Sequence, residues 1–241
     1  MSRKNVPKLV VFDCDGVLVD GYVSIFIADK LGFGSKVRKI YAEVIDGKKN
    51  FDEAMAELLK IFLGLEEPIA RELMLQIPIM KGARETIKLL KDSGIIVGVI
   101  SIGASQYFLD ILKELLKLDF CVGTGILIKD GRFAGIEFPI VDMENKGKIL
   151  SEIASNYRIP LFQCAAVGDD DSNISLFKTV GYSILFNSEC LERELNKLNM
   201  NFINKLRLKI KIDLHKRHIK KYADVIINSR NLLDILSVLG I

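Results

Sequence analysis

Short apolar runs that alternate with helical patterns dominate this sequence of 241 residues. Runs rich in Val and Ile predict buried strands at residues 8–13, 95–101, 163–169, 182–186 and 223–227. Apolar residues spaced three and four apart predict helices over residues 82–93, 105–118, 146–157 and 173–179. Strands and helices in this order form βαβ units. The sequence therefore predicts an α/β fold, a doubly wound parallel sheet with helices on both faces.

One long segment breaks this alternation. Residues 20–78 show a helical pattern throughout, with predicted helices at 23–31, 36–45, 51–63 and 67–76. We expect these helices to form a small cap inserted after the first strand, over the strand ends. Residues 1–19 and 79–241 then form the core domain. Within that core, Asp130-Gly131 predicts a tight hairpin over residues 127–133.

The segment 188–222 is a basic insertion within the core. Apolar residues at three- and four-residue steps from Leu191 to Ile210 favour a helix in its first half, whereas 205–212 alternates strictly and fits either a helix or a strand. Residues 205–221 hold eight Lys and Arg and one acid, a local excess of +7 that leaves −4 for the rest of a chain with net charge +3. The body of the protein therefore lacks the cationic field of a nucleic-acid-binding protein, and the basic segment is either a solvated surface or a contact for a partner, an acidic lipid surface or RNA.

Composition limits the cellular setting. The longest apolar stretch, residues 94–104, is well short of the ~20 residues that span a bilayer. No apolar run near the start has the length of a secretory signal. The four cysteines are scattered without metal-ligand spacing, which favours free thiols. We expect a cytoplasmic protein without a membrane span, and the sequence leaves its oligomeric state open.

Polar residues collect where the predicted strands end. Asp13 and Asp15 follow the first strand, Ser101 and Gly103 the second, and 169–173 the third. Ligands of an open parallel sheet bind beyond the carboxyl ends of its strands, so these groups should share one edge. Two carboxylates as close as Asp13 and Asp15 repel unless a cation lies between them or one keeps its proton. With oxygen ligands alone, Mg²⁺ is the favoured cation.

Taken together, Asp13-x-Asp15-Gly-Val, Ser101, Lys146 and Gly168-Asp169 resemble, in order and spacing, the four motifs of the haloacid dehalogenase (HAD) superfamily of phosphatases. The resemblance implies a Rossmann-like core and a phosphomonoester hydrolase with Mg²⁺ as cofactor. It also implies that Asp13 is the nucleophile, forming an aspartyl-phosphate, and that Asp15 is the general acid and base.

The remaining roles implied by the resemblance are binding roles. Ser101, Ile102, Gly103 and Lys146 would bind phosphate. The Asp13 carboxylate, the backbone carbonyl of Asp15 and the Asp169 carboxylate would hold Mg²⁺. Asp170 and Asn173 are further candidates beside the metal, although Asp170 and Asp171 also fit a solvated acidic loop. The candidate site residues are therefore Asp13, Asp15, Ser101, Ile102, Gly103, Lys146, Asp169, Asp170 and Asn173.

Within the superfamily, the cap segment Asp46-Gly-Lys-Lys-Asn-Phe-Asp-Glu and the hairpin resemble the phosphoserine phosphatase branch. Tyr22 stands where that branch carries a Glu for the substrate ammonium, and Ala56 stands where we expect an Arg for the substrate carboxylate. Ile102 and Asn173 also depart from the branch pattern. We therefore expect a small phosphorylated metabolite as substrate, with Tyr22 lining its pocket, and not necessarily phosphoserine.

Two other functions fit the same residues. A phosphotransferase or mutase would share the machinery and differ only in the group that attacks the intermediate. A weakly catalytic binding or regulatory protein would act through the basic insertion. His215 and His218, three residues apart, are expected on a solvated face because no third metal ligand accompanies them.

Overall fold

The computed structural model describes residues 6–137 and 140–241, so the first five residues of the predicted core lie outside it. Within these ranges, seven strands form one sheet in the order β4-β3-β2-β1-β5-β6-β7, and only β4 runs antiparallel to its neighbour. The strands are β1 Leu9–Phe12, β2 Ile96–Ser105, β3 Phe120–Lys129, β4 Arg132–Glu137, β5 Cys164–Gly168, β6 Tyr182–Phe186 and β7 Val225–Ile227. The helices are α1 Val23–Lys30, α2 Gly34–Ile45, α3 Phe51–Phe62, α4 Glu67–Leu75, α5 Ala83–Asp92, α6 Gln106–Leu116, α7 Lys146–Asn156, α8 Ile174–Thr179, α9 Cys190–Leu195, α10 Phe202–Ile219 and α11 Leu236–Leu239.

Strand β1 lies at the centre of the sheet, where both faces are buried. Its four residues are fully buried, and they alternate between two hydrophobic cores: Val10 and Phe12 face one, Leu9 and Val11 the other. This explains why the strand is apolar at every position. Phe12 is paired with Val99 of β2 and with Val167 of β5, so the three strands end at the same edge.

The predicted hairpin is present between β3 and β4. Asp130 and Gly131 both adopt positive φ, at 52° and 69°, as a tight hairpin turn with matching twist requires. Asp and Gly are the residue types that tolerate this conformation best, which is why the dipeptide predicted the turn.

Helices α1–α4 follow β1, close to the predicted bounds; α1, α2 and α3 share a hydrophobic cluster with Cys190 of α9, whereas Ala70 and Met74 of α4 pack in the core that contains Val10 and Phe12. Ile25, Val37, Ile40, Ala54 and Leu58 belong to this cluster. Helix α3 begins with a capping box, in which Asn50 accepts from the backbone of Glu53 and the Glu53 side chain accepts from the backbone of Asn50, both at 2.9 Å. The sequence at Asn50 and Glu53 thus fixes where α3 begins.

The basic insertion forms two helices, α9 and α10, and the alternating stretch 205–212 is helical. The apolar spacing from Leu191 to Ile210 does not mark one buried face, because the helix breaks after Leu195, and Leu206 and Ile210 are about half exposed. Instead, Leu208 and Ile212 pack against α2. Helix α10 carries apolar residues on two faces, so tertiary contact and not the pattern selects the buried one.

Ion pairs hold this insertion to the cap. The buried Arg38 of α2 binds Asp29 at 2.6 Å and Glu194 of α9 at 2.9 Å. Arg207 of α10 binds Asp46 at 2.7 Å. Among the described residues, no helix is both long and apolar enough to cross a bilayer.

Candidate active site

The structure brings Asp13, Ser101 and Asp169 to one edge of the sheet. Asp13 follows β1, Ser101 lies in β2 beside it, and Asp169 follows β5 on the other side. All three side chains are buried. Gly16, at φ 70°, allows the loop after β1 to pass close to Asp169, since a Cβ atom there would lie 2.2 Å from the Asp169 Oδ2. A larger residue at this position would force the two strand ends apart.

Asp13 is held by four hydrogen-bond donors, of which the Ser172 hydroxyl is the most distant, at 3.5 Å from Oδ2. Its Oδ1 accepts from the backbone N–H of Cys14 at 2.7 Å. Its Oδ2 accepts from Asn173 Nδ2 at 2.7 Å and from Lys146 Nζ at 3.2 Å. Lys146 is fully buried and also donates to Asn173 Oδ1 at 2.6 Å. Lys146 and Asn173 therefore orient the Asp13 carboxylate and offset its charge.

An acidic cluster surrounds Asp13. One carboxylate oxygen from each of Asp13, Asp169 and Asp170 lies within 4.8 Å of the others. Burial and the neighbouring acids raise the pKa of Asp169 well above its usual value and also raise the pKa of Asp170. Three crowded oxygen donors with one lysine as buried counter-charge suit a hard divalent cation, and oxygen ligands of this kind fit Mg²⁺. Asp170 is half-buried and faces this cluster, so the expectation that it is a solvated loop residue is wrong.

Asp15 has a different environment. Its Oδ1 accepts from the backbone N–H of Val23 at 2.8 Å, at the start of α1. Burial is the main cause that raises the pKa of this carboxyl to about 7. Gly103 makes room for it, because a Cβ atom at that position would lie 2.4 Å from Asp15 Oδ2. A carboxyl group that keeps its proton near neutral pH can donate that proton to a leaving oxygen.

Three of the four predicted phosphate-binding residues line the same cleft, whereas Lys146 is buried behind Asp13. Ser101, Ile102 and Gly103 line it together with Asp13 and Asp15. The Ser101 hydroxyl accepts from the backbone N–H of Ala104 at 3.2 Å, and this hydrogen bond orients the hydroxyl along the end of β2.

Tyr22, immediately before α1, faces the acidic cluster. Its hydroxyl is 3.4 Å from Asp169 Oδ2 and 3.4 Å from Asp170 Oδ2, to which it donates. The ring stacks edge-on against Tyr41, with centroids 5.3 Å apart. The sequence placed Tyr22 in the pocket, and it does line the cleft. Sequence analysis missed its contact with the acids, because that contact joins residues separated by 147 positions.

Ala56 does not face the cleft. It is exposed on α3, whereas Ala54, Met55 and Leu58 of that helix line the cleft. The absence of a cation at Ala56 therefore carries no information about the substrate. The residues of α3 that do carry it are Ala54, Met55 and Leu58, one or two positions away along the chain.

His215 was expected on a solvated face, but its Nδ1 is 2.7 Å from Asp171 Oδ2. His218 lies 3.9 Å from the same oxygen. The hydrogen bond with Asp171 raises the pKa of His215. Both rings remain about half exposed, and the contact connects α10 to the loop that carries Asp169 and Asp170. No local signal could predict this, since it depends on where α10 packs.

Comparison with known proteins identifies the family to which this chain belongs. The family model described as haloacid dehalogenase-like hydrolase matches residues 7–181, well over half of the chain. The chain belongs to the haloacid dehalogenase-like hydrolases. The matched region of this hydrolase contains Asp13, Asp15, Ser101, Lys146 and Asp169, and it ends before the basic insertion.

Two relatives lie in one branch of the family. The phosphoserine phosphatase of Methanocaldococcus jannaschii is 34% identical over 195 residues, which cover 80% of this chain and 91% of that protein. The phosphoserine phosphatase of Archaeoglobus fulgidus is 33% identical over 183 residues, 76% of this chain but 53% of that longer protein. This hydrolase is therefore a phosphatase of the phosphoserine phosphatase branch.

Solved structures agree with the fold. A structure described as a phospho-aspartyl intermediate analogue of phosphoserine phosphatase aligns with a TM-score of 0.77 and 30% identity, covering 96% of this chain and 98% of that one. A substrate-bound phosphoserine phosphatase gives the same TM-score, identity and coverage. The predicted Rossmann-like α/β fold is confirmed.

Proposed function

We propose that this phosphatase hydrolyses phosphomonoesters of small metabolites in a Mg²⁺-dependent reaction through an aspartyl-phosphate on Asp13. The observation that carries the proposal is the position of the Asp13 carboxylate, held by Lys146 and Asn173 and facing the same cleft as Asp15 and Ser101. The cleft thus holds a nucleophile beside a separate acid, as a double displacement at phosphorus needs.

Each step has a residue suited to it. An Asp13 oxygen attacks phosphorus, the bond to the leaving oxygen breaks, and Asp15 donates its proton to that oxygen. Water then attacks the aspartyl-phosphate while Asp15 takes up the water's proton, which releases inorganic phosphate and restores both carboxyl groups. The pKa of about 7 for Asp15 suits it to both directions of proton transfer near neutral pH.

Charge on the phosphoryl oxygens would be offset within the same cleft. Ser101 and the backbone N–H groups of Ile102 and Gly103 are the donors proposed for these oxygens, with Lys146 supplying positive charge. Asp13, Asp169 and the backbone carbonyl of Asp15 would hold Mg²⁺, with Asp170 as a further ligand candidate. When bound, Mg²⁺ neutralises the crowded acids and the phosphoryl charge.

The domain division belongs to the same proposal. Residues 20–78 form the cap, residues 1–19 and 79–241 the catalytic core, and residues 188–222 an insertion in that core which braces the cap through Arg38 and Arg207. All four cysteines are free, which fits the reducing cytoplasm.

The decisive experiment replaces Asp13 by Asn. Asn keeps the shape of the side chain but cannot form a stable acyl-phosphate, so turnover of 4-nitrophenyl phosphate with Mg²⁺ should fall by about 10⁴-fold or more. Asp92→Asn is the matched control, since Asp92 is exposed and paired only with Lys88 on α5. Turnover that survives in D13N while EDTA abolishes it would refute the covalent route.

Hydrolysis and transfer to a second hydroxyl are separated by product analysis. With an alcohol added as acceptor, a hydrolase still releases phosphate stoichiometrically, whereas a phosphotransferase forms a new phosphomonoester. Asn173, which departs from the pattern of the phosphoserine phosphatase branch, donates a hydrogen bond to the proposed nucleophile, and this favours the catalytic function over a weakly catalytic regulatory protein.

A further inference from the structure

The cleft above Asp13 has two chemically distinct ends. The acids and Ser101 line its floor. On the side of the cap it is lined by Ile40, Val44, Ala54, Met55 and Leu58, together with the rings of Tyr22, Tyr41 and Phe51. The end that would receive the phosphate is polar, and the end that would receive the rest of the substrate is apolar.

Charged groups line only the polar end. Among the residues that the structure describes, the charged side chains lining the cleft are those of Asp13, Asp15, Asp169 and Asp170, and no Lys, Arg or His lines it. Lys146 lies buried behind Asp13 and Asn173. A carboxylate on the substrate would therefore be desolvated without a counter-ion, which strongly opposes binding.

The hydroxyls at the apolar end have partners within the protein. Tyr22 donates to Asp169 and Asp170, and the Tyr41 hydroxyl is 2.9 Å from the Ser24 hydroxyl. An ammonium group on the substrate would find no carboxylate among the cap residues that line the cleft, because the four acids belong to the segments that follow β1 and β5.

A second cavity continues the apolar end. It lies between the cap and the β3–β4 hairpin, and its walls include Ile27, Phe62, Ile126, Phe133 and Ile136. Met55, Leu58, Ile102 and Gly103 line both cavities, so the two spaces adjoin at these residues. The apolar lining thus continues from the cleft above Asp13 towards the hairpin.

We propose that the substrate is the monophosphate of an uncharged, apolar alcohol, whose carbon chain passes Met55 and Leu58 and extends into the second cavity. This rests on the proposed function, because it assigns the leaving group of the same reaction. It separates this phosphatase from relatives named for phosphoserine, whose leaving group carries an ammonium and a carboxylate. Burial of each added methylene supplies the binding energy that a zwitterion would draw from ion pairs.

The first test is a series of n-alkyl monophosphates from ethyl to decyl, assayed with Mg²⁺ by phosphate release. We expect kcat/KM to rise by about fourfold for each methylene while the chain stays in the cavities. O-phosphoserine should be cleaved at least about 100-fold less efficiently than n-propyl phosphate, which has the same three-carbon chain without the charges.

The second test fills the far cavity. Ile126→Trp places a large ring in it, whereas Leu127→Trp, the matched control, adds the same ring at an exposed position on the next residue of β3. We expect I126W to cleave ethyl phosphate at the wild-type rate and to lose at least tenfold in kcat/KM for octyl phosphate. L127W should match the wild type on both substrates.

The outcomes distinguish this proposal from the function on which it rests. A flat chain-length series, or phosphoserine cleaved as well as propyl phosphate, overturns the substrate class while phosphatase activity stands. Equal losses of I126W on ethyl and octyl phosphate overturn the path into the second cavity. If Asp13→Asn retains the turnover of every ester, the proposed function itself fails.

Discussion

Replacing Lys146 by Met tests whether the acidic cluster depends on one buried cation. Met keeps most of the stem and removes the charge. The Lys146 ammonium is fully buried, 3.2 Å from Asp13 Oδ2 and 2.6 Å from Asn173 Oδ1. Two unit charges 3.2 Å apart attract by about 5 kcal/mol at an effective dielectric constant of about 20.

Part of that attraction offsets the desolvation of the ammonium group. Removing one member of a buried pair nevertheless costs about 3–5 kcal/mol, because the other charge is left uncompensated. Here the loss falls at the upper end of that range, since Asp169 and Asp170 lie beside Asp13. We expect K146M to lower the free energy of unfolding by about 5 kcal/mol in the absence of Mg²⁺.

The assay is urea unfolding followed by circular dichroism at pH 8 with EDTA. Lys88→Met is the control, because the Lys88–Asp92 pair is exposed on both sides and such pairs contribute about 0.5 kcal/mol or less. The double variant D13N/K146M should be more stable than K146M, since it removes the uncompensated charge. A loss in K146M no larger than that in K88M would refute the electrostatic role of Lys146.

Three further predictions concern the acid, the tyrosine and the insertion. Asp15→Asn should lower kcat by about 10²–10⁴-fold on alkyl phosphates and by much less on 4-nitrophenyl phosphate, whose leaving group needs little protonation; equal losses would contradict the acid role. In the wild type, kcat/KM for alkyl phosphates should fall as the pH rises above about 7, where Asp15 loses its proton. Tyr22→Phe should raise the Mg²⁺ concentration for half-maximal activity by about tenfold, because it removes the hydroxyl that orients the acids proposed to bind the metal. An unchanged Mg²⁺ titration would contradict this role of Tyr22. The raised pKa of His215 means that its charged form stabilises the fold below about pH 6.5 and that this contribution is lost as the pH rises through the folded-state pKa. His215→Ala should therefore cost about 0.5 kcal/mol in urea unfolding at pH 6 and less at pH 9, and a cost that does not change with pH would exclude the ion pair.

Local patterns predicted most of the elements in this phosphatase. The turn at Asp130-Gly131 and the fully apolar strand β1 each depend on residues close together in sequence. The shared edge of the acidic residues was predictable for a different reason, because the carboxyl ends of adjacent parallel strands must coincide.

Predictions that needed a particular packing arrangement were less successful. Ala56 stands where the phosphoserine phosphatase branch carries an Arg for the substrate carboxylate, but a helix turns by about 100° per residue and this position faces solvent. The face of α10 that is buried, and the contact between His215 and Asp171, depend on how that helix packs against α2 and the Asp169 loop.

The sequence by itself determined the order of strands and helices, the strand ends at which acids gather, and the residue types available for phosphoryl chemistry. These follow from periodicity and turn chemistry, which act over a few residues. Only the tertiary structure decided the hydrogen bonds around Asp13, the pKa of Asp15 and the apolar walls opposite the acids. Those properties arise from burial and from contacts between residues far apart in the chain, and both exist only once the cap and core have packed together.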